Sequence, residues 1–146
     1  MTIWKTPVTA AVLADIHKKT LVNHVGIEFL EVGEDFIRAR MPVDERTRQP
    51  MGLLHGGASV VLAETLASCA ANFAVDLRKS RCVGLEINAN HIRSATDGYV
   101  TGVARPIHLG RTTQIWEVRI TGADDKLVGV SRVTMAVLDA PGHPGA

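Results

Sequence analysis

A carboxylate, an imidazole and a pair of glycines fall within ten residues of one another in an otherwise apolar run. In GLLHGGASVVLAETLASCAA, residues 52–71, Glu64 is the only acid, and His55, Gly56 and Gly57 stand near the start. A carboxylate among apolar side chains is costly unless something pairs with it or uses it. The use that fits these residue types is acyl transfer to water, with Glu64 as general base or as nucleophile. The first N–H groups of a helix are unpaired, and glycines at that point leave them open to a developing oxyanion. Ser68, four residues beyond Glu64, shares its helix face and can orient water or the carboxylate.

Spacing then sets a condition. Nine residues separate His55 from Glu64. In a continuous helix that is about 14 Å of rise and about 900° of turn, so the two point to opposite sides. One chain cannot bring both to one small substrate atom. Two chains with antiparallel helices about a two-fold axis can, and two-fold dimers are the commonest oligomers. If both residues are catalytic, the pattern predicts a dimer with two composite sites.

Each of these residues also fits a structural role. Glu64 suits pairing with a buried arginine, His55 suits a helix cap, and Ser68 suits a back-bond to the carbonyl of Glu64. Gly56 and Gly57 suit close packing. Spacing alone leaves both sets of roles open. No G-x-G-x-x-G, P-loop or G-x-S-x-G occurs. The six histidines and two cysteines show no zinc-ligand spacing, so no metal and no cofactor is expected. Cys69 reads as a small buried hydrophobe rather than a nucleophile. Arg93, Arg105 and Arg111 flank strand ends with His91 and His108 nearby, which suits either phosphate binding or a solvated face.

The elements that must position these groups follow from periodicity. Residues 9–19 read as a short amphipathic helix, 26–32 and 35–43 as strands, and 44–54 as a polar loop. Residues 55–75 form the one long helix, and 77–81 a charged connector. Strands over 83–92, 99–108, 112–121 and 127–138 complete the chain. Sequential strands with short turns favour an antiparallel sheet, and the helix must bury against it, giving an α+β fold. With 146 residues and 46% hydrophobic content, one domain over 1–139 and a loose tail over 140–146 are expected. A net charge of +1, dispersed along the chain, argues against nucleic-acid binding. No signal-peptide core and no bilayer-length apolar stretch is seen, so no membrane contact and a cytoplasmic location are expected.

RTRQPMGLLHGGASVVLAE (46–64) closely resembles the signature of hotdog-fold acyl-CoA thioesterases of the phenylacetate-type branch. MPVDERT (41–47), VGLEINANHIRSA (83–95) and PIHLGR (106–111) match the same group in order. The similarity runs over about 3–138. Within the branch it resembles the aryl-CoA thioesterases of menaquinone synthesis (1,4-dihydroxy-2-naphthoyl-CoA hydrolases) and the proofreading thioesterases of enterobactin synthesis. The resemblance implies a hotdog fold, in which an antiparallel sheet wraps a long helix, assembled as a dimer of dimers. It implies thioester hydrolysis with Glu64 as base or nucleophile and the Gly56 N–H facing the thioester oxygen. His55 and Gln49 would position and polarise the reacting group, and Ser68 and His91 would assist substrate or water. Val83 and Gly84 would lie beside the acyl thioester, and Met51 would border the acyl pocket. Arg93, His108, Gly110 and Arg111 would approach the nucleotide and phosphates of CoA. Met51, Cys69, residues 72–74 and the basic connector 76–81 depart from the group's usual residues, which leaves the acyl group least transferable. The connector's Arg78, Lys79 and Arg81 also suit an acidic carrier protein as partner. A non-catalytic acyl-CoA binding module is the reading from another class, and intact Gln49, His55 and Glu64 argue against it.

Overall fold

A computed structural model of the chain describes residues 1–142. Helices α1 (Ala10–Ile16) and α2 (Leu21–His24) precede strands β1 (Glu28–Val32) and β2 (Ile37–Pro42). Helix α3 (Gly56–Phe73) follows, then β3 (Ser80–His91), β4 (Tyr99–Leu109), β5 (Thr113–Thr121) and β6 (Leu127–Asp139). All six strands form one antiparallel sheet in the order β1-β2-β4-β5-β6-β3. The expected α+β architecture, with one long helix on an antiparallel sheet, is what the chain adopts.

The sheet wraps α3 because alternate residues of its central strands are apolar and turn inward. Trp116, Val118 and Ile120 of β5 and Val133 and Met135 of β6 are buried against Leu62, Ala63, Leu66, Ala67, Ala70 and Ala71 of the helix. Small residues let the layers approach. At Gly102 of β4 a Cβ would meet Leu66 Cδ1 at 2.7 Å, so any larger residue there would displace the buried Leu66 side chain. Truncating Leu66 to Ala in such a site costs about 2–5 kcal/mol. Pro106 lies inside β4 without breaking the sheet because the β4–β5 register shifts between Pro106 and His108, a place where the ladder is already interrupted.

Several boundaries differ from those expected, among them that of α3, which runs over Gly56–Phe73 rather than 55–75. The first helix stops at Ile16, not at residue 19, and Lys19 takes a left-handed φ of 60°. The four-residue α2 is additional, and its N-cap Thr20 makes no side-chain capping bond. β3 begins at Ser80, inside the expected connector, after Asp76 O has accepted from the N–H groups of Lys79 and Ser80. At the other end of the chain, Ala140 N–H donates to Lys79 O at 2.9 Å. The rest of the expected tail, 143–146, lies outside the described residues.

The topology matters most at the sheet edges. β1 is a short edge with a bulge and the charged residues Glu28 and Glu31. β3, twelve residues long, pairs only with β6 and leaves its other side open. Val83 and Leu85 on it are exposed, Leu85 at 64%. Long open edges are normally covered.

Candidate active site

The loop before α3 is built to present the helix N-terminus. Buried Thr47 donates its hydroxyl to Pro42 O at 2.6 Å, and its carbonyl accepts from His55 N at 2.8 Å. Arg48 donates to Thr96 O, and Leu54 N to Ala95 O, which ties the loop to the segment after β3. His55 is the N-cap: its Nδ1 accepts from Gly57 N–H at 2.8 Å. In the neutral ring the proton therefore sits on Nε2, which faces outward as a donor. Ala58 and Ser59 donate to His55 O. Of the first helical N–H groups, that of Gly56 alone has no partner among the described residues.

A hollow of about 280 Å³ beside this helix start is lined by Gln49, Gly56, His91 and Arg93, and no Asp or Glu takes part. His91 packs so closely that a Cβ on Gly56 would lie 2.8 Å from its Nε2. Gln49 uses Oε1 to accept from Met51 N, which leaves its amide NH2 free to donate. Met51 itself is exposed.

Glu64 lies elsewhere. It projects from the opposite side of α3 into a second hollow of about 300 Å³, shared with Ser68, Cys69, Thr65, Val61, His17, Leu21 and Val22. On the isolated chain it is exposed, and no ion pair or hydrogen bond to it occurs among the described residues. The pairing with a buried arginine is therefore absent. Ser68 makes no side-chain hydrogen bond either, so its hydroxyl is not back-bonded, and only its carbonyl accepts, from Asn72. Gly84 of β3 faces the carboxylate, and a Cβ there would stand 3.0 Å from Glu64 Oε1. Val83 is exposed beside it on the open edge.

The expected residues thus separate into two half-sites on one chain. Gln49, His55, Gly56, His91 and Arg93 gather donors without an acid. Glu64, Ser68, Val83 and Gly84 hold the acid away from the open N–H at the helix start. Gly84 and His91 are seven residues apart on β3, about 23 Å at strand rise.

The family model described as thioesterase superfamily matches residues 51–129. The chain belongs to the thioesterase superfamily. It is 46% identical over 136 residues to a 1,4-dihydroxy-2-naphthoyl-CoA hydrolase of Escherichia coli, covering 93% of this chain and 99% of that one. Identity to the proofreading thioesterase EntH of Cronobacter turicensis is 47% over 137 residues, covering 93% and 98%. A crystal structure of a mutant thioesterase from Pseudomonas aeruginosa superposes with a TM-score of 0.93 at 47% identity, covering 94% and 99%. The sheet and central helix are the hotdog fold of these relatives, and the chain is a thioester hydrolase.

In this thioesterase the four residues expected toward CoA do not cluster on one chain. Arg93 follows β3 at the Val128 end of β6, where its N–H donates to Val128 O at 3.1 Å. Gly110 and Arg111 form the β4–β5 turn, next to the Val137 end. His108 folds over Gly110 so closely that no Cβ fits there. Neither Arg93 nor Arg111 has a carboxylate partner among the described residues. Two groups beside Glu64 escaped the sequence reading: His17 and the α2 pair Leu21 and Val22. His17 Nδ1 donates to Leu13 O at 2.7 Å in the neutral ring, leaving Nε2 to face Cys69 Sγ at 3.7 Å. Burial pushes the Cys69 thiol up to about 12, which disfavours the thiolate form.

Proposed function

We propose that this thioesterase hydrolyses acyl-CoA thioesters, aromatic ones by preference, at sites shared between two copies of the chain. The single observation that carries this reading is the separation of donors from acid. Pairing the open β3 edge with its copy, antiparallel about a two-fold axis midway between Gly84 and His91, sets Gly84 opposite the partner's His91. Strands in such a pair lie about 4.8 Å apart. Glu64 of one chain then comes to the Gly56 end of the other, and the exposed edge is covered.

In that arrangement Glu64 takes a proton from water, and the water oxygen attacks the thioester carbonyl carbon. The carbonyl oxygen becomes an oxyanion held by the Gly56 N–H, with His55 Nε2–H and the Gln49 amide beside it. Collapse breaks the C–S bond, and the thiolate leaves as CoA and takes up the proton that Glu64 removed from water. Direct attack by Glu64 uses the same donors and differs only in passing through an acyl-enzyme. Ser68 and His91 orient water or substrate, and Val83 and Gly84 flank the acyl carbon. Arg93 of one chain and His108, Gly110 and Arg111 of another approach the phosphates, consistent with their lying far apart within one chain. A dimer of dimers in the cytoplasm completes this reading. Aromatic preference is supported by the naphthoyl-CoA relative and by the apolar Val61, Leu21 and Val22 around Glu64.

Complementation tests it. Glu64→Ala and His55→Ala chains are each expected to lose most activity on benzoyl-CoA-like substrates. Mixed dimers carry one intact site, so equal mixing after subunit exchange should restore about a quarter of the sites. No recovery, with exchange demonstrated, counts against composite sites; full activity in Glu64→Ala removes the proposed role of Glu64. A second reading is clearance of misacylated carrier proteins. It rests on exposed Lys79 and Arg81, which have no carboxylate partner among the described residues. Faster turnover of an acyl-carrier than of the matching acyl-CoA would favour it.

A further inference from the structure

At the end of α3 away from Gly56, a cavity of about 710 Å³ opens between the N-terminal segment, the helix C-cap and the β4–β5 turn. Gln114 lines its base and is only 2% exposed. Trp116 donates its indole N–H to Gln114 Oε1 at 2.9 Å. An indole N–H only donates, so the accepting atom must be the amide oxygen and the NH2 group is fixed as the other end. That NH2 has no acceptor among the described residues. No sealed-in polar side-chain atom among them lacks a partner. The NH2 therefore keeps open surface, and the cavity is the space that Gln114 lines. A neutral donor at the base of a cavity of mixed polar and apolar lining is matched by an oxygen acceptor.

Charge lies at the mouth. Lys5, Lys79 and Arg111 are exposed there, and none has a carboxylate partner among the described residues. The one acid in the lining, Asp76, is already held by Arg78 at 2.8 Å. The walls between mouth and base are Ile3, Trp4 and Val137. The carbonyls at the helix end are occupied: Phe73 O accepts from Lys5 N and Thr6 N, and Val75 O from the Thr6 hydroxyl.

We propose that this cavity is a second ligand site, separate from both half-sites, for an amphipathic organic monoanion. Its carboxylate sits among Lys5, Lys79 and Arg111, its apolar body lies against Trp4 and Ile3, and a neutral oxygen acceptor reaches Gln114. Inorganic phosphate suits the mouth but leaves the walls and the amide unmet. Ala74, which borders the cavity, is ten residues past Glu64, about 15 Å along the helix. Of the expected CoA contacts, Gly110 and Arg111 of the β4–β5 turn also line this cavity, whereas Ile3, Trp4, Gln114 and Val137 are not among them.

Of the chain's two tryptophans, Trp4 lines this cavity and Trp116 lies behind it as the anchor of Gln114. The full chain labelled with 5-fluorotryptophan and titrated with 4-methoxybenzoate should show both fluorine signals moving saturably. Benzoate, which lacks the second oxygen, should bind at least about fivefold more weakly, as should methoxybenzoate to Gln114→Met. A Lys5→Glu, Lys79→Glu double variant should weaken binding at least about threefold. Glu64→Ala should bind as wild type does. Unmoved signals, equal binding by both variants, or movement with inorganic phosphate or 3′,5′-ADP alone would overturn the proposal. Should Gln114→Met fail to fold, the benzoate comparison and the surface charge variant decide it.

Discussion

Glu64 poses a desolvation problem in the sequence, and the isolated chain resolves it by leaving the carboxylate exposed beside Gly84. Its function then depends on what is brought to it. The same holds for Gly56, whose free N–H is useful only if an oxyanion reaches it, and whose missing side chain lets His91 approach. Gly56→Ala would place a methyl 2.8 Å from His91 Nε2, the movable end of that side chain. The ring must turn away while the helix stays. Activity is expected to fall about tenfold to hundredfold, as misplacements near 1 Å do, with only a small loss of Tm. Unchanged kcat/KM would mean that His91 has no part in the site. The thiols make a contrasting case. Burial pushes Cys69 up to about 12 and Cys82 up to about 11. Thiolate is the reactive form, so the native chain should leave an aromatic disulfide reagent untouched at about pH 8, while the denatured chain titrates both cysteines. Rapid reaction of the native chain would show that one thiol opens to solvent.

Between helix and edge strand, Asp76 organises the turn that aims β3. Its carboxylate accepts from the Arg78 N–H at 3.1 Å and from Arg78 Nε at 2.9 Å, and the guanidinium beside it lowers its pKa from 3.8 to about 2. A depressed folded-state pKa gives stability that is present above 3.8 and lost as pH falls through about 2. Asp76→Asn should therefore lower Tm at neutral pH, with the gap to wild type closing across that acid range; a gap independent of pH would assign the effect to the hydrogen-bonded turn alone. This turn also shows where sequence reading stops. Helix α3 is legible because its apolar run is long and opens at a capping His-Gly-Gly, and β5 is legible because Trp116, Val118 and Ile120 alternate. α2 is not, since four residues with no side-chain cap leave no periodic signal. The strand order is not legible either. Nothing in residues 92–98 says that β3 lies beside β6 at the far edge rather than beside β4. The opposition of His55 and Glu64 follows from helix arithmetic alone, whereas the contacts of Gly84 with Glu64, Gly56 with His91 and His17 with Cys69 join residues far apart in sequence, which only the fold brings together.

At the scale of the whole molecule, chemistry and assembly become one question. The open side of β3 runs along a strand of twelve residues, with Leu85 exposed at 64%. The opposite edge is only five residues long, so it offers little to a second sheet. Edge lysines are a natural means of blocking strand pairing. Leu85→Lys leaves the core untouched, because Leu85 is absent from the buried set, and should preserve the fold of each chain. It should also shift the assembly toward monomer, seen as a lower mass in light scattering. If the sites are composite, specific activity must fall in step with the dimer fraction, and dilution of the variant should lower it further while concentration restores it. A monomer that keeps wild-type turnover would break the link between edge pairing and catalysis. A dimer of unchanged mass with normal turnover would instead show that the copies meet elsewhere on the sheet.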